Sequence, residues 1–306
     1  MRRLTRCLLA TKMLFCPGAI SMSAIWSAGR FSLTWQTGRP LVMGIVNTTP
    51  DSFSDGGQHN SATSAIAHAE TLLKEGAAIL DIGGESTRPG AQAVPADEEW
   101  ARVGAVLAEV VRWNVPVSVD TMKPEVMQRA LDLGVDILND VNGFRAPGAL
   151  EALAHSNAGA VVMHMQGEPR TMQEAPQYTD VVGEVFGFLD ARLNELSTSG
   201  VATQRVLVDP GFGFGKTQAH NVSLMQATQR FSALGAGVLV GVSRKRMIGE
   251  MTGQATPQDR VYGSVAAALY AASQGAAVLR VHDVRATCDA LAVMAALNAQ
   301  VPFKPV

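Results

Sequence analysis

The sequence predicts an α/β protein, a single (β/α)8 TIM barrel with its active site at the C-terminal ends of the strands, and three observations carry that expectation. Eight short runs are continuously apolar: LVMGIVN (41–47), AILDIGG (78–84), VPVSVDT (115–121), DILNDV (136–141), AVVMHM (160–165), VLVDP (206–210), GVLVGVS (237–243) and VLRVHD (278–283). Strands read this way when helices cover a parallel sheet and bury both faces. Eight stretches with apolar spacing near 3.6 alternate with these runs, which indicates a closed parallel barrel. Lastly, each run carries a polar residue at or near its end.

The helical stretches are 64–75, 97–113, 124–133, 147–156, 180–198, 223–234, 259–273 and 284–298. Pro124 and Pro147 fall at first-turn positions, where a missing N–H costs nothing. Gly76, Gly134, Gly159, Gly200, Gly235 and Gly275 each follow a helix and precede a strand, as C-terminal caps do. An open doubly wound sheet is the alternative, but the G-x-G-x-x-G fingerprint is missing after the first strand. With no linker or second core, residues 26–306 are expected to form one domain.

The chain of 306 residues is 47% hydrophobic, enough for one large core. A net charge of -2, and no run of basic residues among aromatics, give no sign of nucleic-acid binding. Cys7, Cys16 and Cys288 are odd in number and far apart, which suggests reduced thiols in a cytoplasmic protein. The arginine-rich start and short apolar stretch faintly resemble a secretion signal, but Lys12 and Pro17 interrupt them. Residues 1–25 are therefore expected to be a disordered extension, with Met22 as the natural start, and no stretch is long enough to span a membrane.

Active sites of such barrels lie where the strands end. Asn47, Asp81, Asp120, Asn139, Asp209 and His282 would converge there, whereas His164 is expected to be structural. The first strand runs into NTTPDSFSDGG, a long polar loop suited to a lid, with Phe53 in it. The second runs into GGESTRPGA, whose hydroxyls and Arg88 form an anion-binding set. The seventh ends in SRKRMIG, where Lys245 and a helix start could meet an anion. In RVHD, Arg280 and His282 point to one side of the last strand.

The acids and amides suit a flat heterocycle rich in N–H groups, and the cations suit phosphates and a carboxylate. VDPGFGFGKT (208–217) looks like a phosphate loop, but Pro210 stands where G-x-x-x-x-G-K-[ST] needs glycine. It is better assigned to the sixth strand and its loop, with Lys216 supporting that loop. Zinc spacing and a G-x-S-x-G elbow are both absent, and Mg²⁺ held by Asn47 and substrate phosphates is expected.

GIVNTTPDSFSDGG and DIGGESTRPGA, followed in order by VSVDT, ILNDV, VVMHMQG, LVDPGFGFGK, GVSRK and RVHDV, resemble the dihydropteroate synthase family over residues 41–296. The resemblance implies a homodimeric barrel that joins hydroxymethyl-dihydropterin diphosphate to p-aminobenzoate, releasing pyrophosphate. It implies that Asp120, Asn139, Met163, Asp209 and Lys245 hold the pterin. Asn47, Thr87, Arg88, Arg280 and His282 would surround the diphosphate, with Asn47 on Mg²⁺. Phe53, Thr87, Pro89, Phe214, Lys245 and Arg246 would form the aminobenzoate pocket, and of the whole set Asn47, Arg88, Asp120, Lys245 and His282 would be catalytic. Arg246 replaces a Ser found in other members, which bears on aminobenzoate affinity; ordinary sulfonamide sensitivity is still expected. Two other classes fit the acidic pocket: a pterin-dependent methyl-transfer module, which has no need of the phosphate-binding cations, and a non-catalytic pterin-binding protein.

Overall fold

The computed structural model describes residues 24–49, 58–87, 90–168, 171–235 and 237–299. Their centre is a closed barrel of eight parallel strands. In chain order these are β3 (Leu41–Asn47), β4 (Ile79–Gly83), β5 (Val117–Asp120), β6 (Ile137–Asp140), β7 (Gly159–Met163), β8 (Val206–Asp209), β9 (Gly237–Val240) and β10 (Val278–Val281), and β10 pairs with β3 to close the ring. Seven of the strands lie within their apolar runs, and β7 starts one residue before its run, at Gly159.

Helices fill the outside: α1 (Gln58–Lys74), α2 (Ala96–Val110), α3 (Pro124–Leu133), α4 (Ala149–Ala154), α5 (Val181–Thr198), α6 (Gln218–Gln226), α7 (Thr228–Phe231), α8 (Arg246–Thr252), α9 (Val261–Ser273) and α10 (Val284–Asn298). The sixth predicted helix starts earlier than its apolar spacing indicated. Thr217 caps α6 through the backbone N–H of His220, and the His220 ring accepts from the Thr217 N–H in return. A histidine in that reciprocal role hides the usual T-x-x-E signal. The short α8 was legible only as the helix opened by SRKRMIG.

Sequence patterning did not anticipate the antiparallel hairpin that precedes the barrel, β1 (Ala24–Ala28) and β2 (Phe31–Trp35). It turns at Gly29, whose φ of 56° and contact with Asp136 leave no room for a side chain. Trp26 and Ala28 cover the N-terminal end of the barrel and pack on Met43, Ile79, Ile137, Val161, Leu207 and Leu239. Trp26 is buried and donates its Nε1–H to the Arg205 carbonyl at 3.0 Å. Arg30 grips Asp136 with Nε and Nη2 at 2.9 and 2.8 Å.

The hairpin also corrects one expected cap. Gly76, Gly134, Gly200, Gly235 and Gly275 have positive φ, as helix-ending glycines do, but Gly159 opens β7 instead. An added Cβ there would lie 3.0 Å from Trp26 and Ala28, so Gly159 is small to admit the hairpin. Residues 1–23, most of the expected extension, lie outside the described residues.

The strands bury two faces. Outward residues such as Leu80, Val117, Leu138, Val162, Val208 and Leu279 meet the helices in one large apolar cluster. Inward residues meet one another and the hairpin. If Trp26 plugs the barrel, Trp26→Ala should cost about 3–5 kcal/mol in urea unfolding. A loss below about 1 kcal/mol would show that the hairpin is peripheral.

Candidate active site

A strand repeats its facing every second residue, so an inward apolar residue is followed two positions later by another inward one. That step changes the chemistry in four strands. Ile79 leads to Asp81, Ile137 to Asn139, Leu207 to Asp209 and Val278 to Arg280. Ile45 and Asn47 follow Met43 in β3, and Met163 follows Val161 in β7. The inner row is therefore apolar over the hairpin and polar at the C-terminal end.

Arg280 organises that polar layer. Its Nε donates to Asp81 Oδ2 and its Nη2 to Asp120 Oδ2, both at 2.6 Å. Asp81 is fully buried, and the Asn139 amide lies 3.3 Å from its Oδ2. Two carboxylates share one guanidinium, so burial is the dominant influence on Asp120: it pushes the carboxyl up to about 7 against the pull of Arg280, and Asp81 adds to the rise.

Burial likewise raises Asp209, while Lys245 opposes the rise, and Asp209 Oδ1 accepts the Gly211 N–H at 2.7 Å. Burial lowers Lys245 to about 8, with Asp209 pulling it back up. Its ammonium donates to the Phe212 carbonyl at 2.5 Å and lies 4.4 Å over the Phe214 ring, a cation–π contact.

The turn after β9 delivers Lys245. Arg244 takes a left-handed φ of 58°, unusual for a side-chain-bearing residue, and pairs with Asp283 at 2.9 and 2.5 Å. Ser243 is buried in that turn and meets His282. Arg246 opens α8 with its side chain turned outward to Glu250 at 2.6 Å. The loop after β8 is braced from below: Lys216 is buried, with Nζ 3.0 Å from His164 Nδ1, 3.0 Å from the Phe214 carbonyl and 3.3 Å from that of His164. Burial and Lys216 lower His164 to about 3, so its ring is a neutral structural partner.

The structure thus brings Asp120, Asn139, Met163, Asp209, Phe214, Lys245 and Arg280 to one end of the barrel, with Asn47 and His282 at adjoining strand ends and Thr87 half-buried in the loop after β4. Phe53, Arg88 and Pro89 lie outside the described residues. A cavity of about 1110 Å³ opens beside the loop after β4, lined in part by Glu85, Ser86, Met122, Arg145 and Met165. Asp81 was expected at this end of the barrel but without its partner Arg280, and the Ser243–His282 contact was not anticipated. The signal for Asp81 was present: a carboxylate inside an apolar run, in phase with the inward glycine Gly83. Among the described residues no three His, Cys, Asp or Glu side chains cluster to hold a metal, and no helix is long and apolar enough to cross a membrane.

A barrel whose C-terminal end presents buried carboxylates, an amide and cations defines a pocket for a polar heterocycle bearing an anionic group. The pterin-binding enzyme family matches residues 43–282, and the chain belongs to that family. It is 55% identical over 280 residues to a dihydropteroate synthase of Neisseria meningitidis serogroup B, covering 90% of this chain and 98% of that one. Two solved structures are similar as well. Xanthomonas albilineans dihydropteroate synthase with 4-aminobenzoic acid has a TM-score of 0.85 at 52% identity, covering 92% of this chain and all of that one (100%). The Yersinia pestis enzyme with a sulfonamide drug complex has a TM-score of 0.84 at 43% identity, covering 90% and 99%.

The raised Asp120 has a signed consequence. Its folded-state pKa exceeds its unfolded value, so the stability it contributes is fully present below about pH 4 and is lost as pH rises through about 7. Asp120→Asn should therefore gain on the wild type between about pH 4 and pH 8, by on the order of a few kcal/mol in denaturant unfolding. A difference that stays flat across that range would mean Asp120 titrates normally.

Proposed function

We propose that this chain condenses 6-hydroxymethyl-7,8-dihydropterin diphosphate with p-aminobenzoate, giving 7,8-dihydropteroate and pyrophosphate, in the cytoplasm as part of folate synthesis. The inward group Asp120, Asn139, Asp209, Lys245 and Arg280, in a chain of this family, carries the proposal. The two carboxylates and the Asn139 oxygen accept from the pterin's N–H and amino groups, the Lys245 ammonium donates to its acceptors, and Met163 packs on the ring. Arg280 and His282, with Asn47, Thr87 and Arg88, receive the diphosphate.

Cleavage precedes bond formation. The C–O bond breaks with its electron pair leaving on pyrophosphate, and the cations stabilise that charge. The remaining carbon is conjugated with the pterin, and Asp120 and Asp209 stabilise its positive charge. The neutral aromatic amine attacks, the C–N bond forms, and the amine proton passes to solvent. No nucleophile–base pair is needed. Phe53, Pro89, Phe214 and Lys245 would frame the aminobenzoate ring, and the outward turn of Arg246 leaves its backbone N–H for the carboxylate.

Asn47 offers one neutral oxygen at the mouth, and among the described residues no cluster of three His, Cys, Asp or Glu side chains could hold a metal, which fits Mg²⁺ held mostly by diphosphate and water. Bound there, Mg²⁺ would neutralise leaving-group charge. We also propose a homodimer through α9 and α10, supported by Tyr262, Val293 and Leu297, which are 88%, 60% and 80% exposed.

Purified protein mixed with both substrates and Mg²⁺ should release pyrophosphate and dihydropteroate in equal amounts, with sulfonamides competing against p-aminobenzoate. Arg88→Ala should lower turnover by about 100-fold or more while the protein stays folded. Without pyrophosphate release, a pterin carrier or a methyl-transfer module becomes the better reading.

A further inference from the structure

One buried hydroxyl has no part in the chemistry above. Ser243 is 6% exposed, and its Oγ lies 3.1 Å from the His282 backbone nitrogen and 3.1 Å from the same residue's Nδ1. A backbone N–H only donates, so Oγ accepts there. Among the described residues, Nδ1 is the one other hydrogen-bond partner of Oγ. Were the proton on Nδ1, both contacts would be donations to Oγ, and the buried hydroxyl hydrogen would have no acceptor among the described residues. Leaving such a group unsatisfied disfavours that arrangement. The arrangement that satisfies both contacts of Oγ has the Ser243 hydroxyl donating to Nδ1, with the ring proton on Nε2.

We propose that Ser243 is a positioning residue that fixes His282 as the neutral Nε2–H tautomer, so that this far ring nitrogen donates to the departing diphosphate. The two contacts act as a clamp, because one oxygen holds both the backbone and the ring of His282. The turn that carries Ser243 is itself tied to the end of β10 by the Arg244–Asp283 pair. The diphosphate as recipient rests on the function proposed above, but the tautomer does not, and it can be measured without substrate.

The full chain labelled with ¹⁵N in its histidine rings answers this by long-range proton–nitrogen correlation at about pH 8, where an ordinary imidazole is neutral. His282→Gln assigns the signal. The expected spectrum has Nδ1 at the unprotonated position and Nε2 at the protonated one. Ser243→Ala should turn this into a tautomer mixture, and Ser243→Thr should restore it. In turnover, Ser243→Ala should lower kcat about tenfold, the effect of losing one hydrogen bond in the transition state, with KM for p-aminobenzoate unchanged and recovery in Ser243→Thr. A wild-type spectrum with the proton on Nδ1 overturns the proposal, even if Ser243→Ala does not fold. So do nitrogen shifts unchanged in folded Ser243→Ala, or a kcat unchanged there. A chain that makes no dihydropteroate would refute the proposed reaction while leaving the tautomer to be judged by the spectrum.

Discussion

The ion pairs from Arg280 to Asp81 and Asp120, each 2.6 Å long, are what the rest of the site depends on. Three charges inside a barrel carry a large desolvation cost, and one guanidinium cannot neutralise two carboxylates. The excess negative charge is tolerated because the Lys245 ammonium lies close to Asp120 and Asp209 and because the layer opens toward the barrel mouth. Asp81 is sealed beneath and keeps Arg280 in place. Asp120 sits higher, 12% exposed at its side chain, where a ligand could share it.

Room for a ligand comes from what the inner row omits. Gly83 and Gly241 face Asp120 and Arg280, and a Cβ at either would already touch those side chains, at 3.5 and 3.7 Å. Below this layer the apolar residues over the hairpin keep the barrel filled, so the polar layer rests on a rigid base. Above it, the Arg244–Asp283 pair and the Lys216 brace fix two of the loops that carry site residues. Polar groups are thus concentrated at the end where the strands open, and packing dominates elsewhere.

Much of this was legible in the sequence. Strand runs and helix spacing report burial directly, so the eightfold alternation was plain. Asp120, Asn139, Asp209 and Arg280 sit at strand ends in an inward phase, and period-two reasoning finds such residues. The hairpin was not legible, because its short strands precede the repeating pattern and Trp26 resembles a loop aromatic until the barrel end it covers is known. The pairing of Asp81 with Arg280 joins residues 199 positions apart, a contact that ring closure creates and no local pattern contains. The role of Ser243 was hidden for the same reason, since β9 and β10 become neighbours only in the folded sheet. Gly159 shows the reverse error, a local rule applied where a distant element set the residue.

The central claim is that Asp81, without reaching the ligand, keeps Arg280 from taking Asp120 for itself. Isothermal titration of an unreactive pterin into Asp81→Asn measures this, because the change removes charge and keeps shape. Arg280 should then pair fully with Asp120, and pterin affinity should fall by about tenfold or more, as for loss of a charge-assisted hydrogen bond. Affinity equal to that of the wild type, in a folded variant, would contradict the claim.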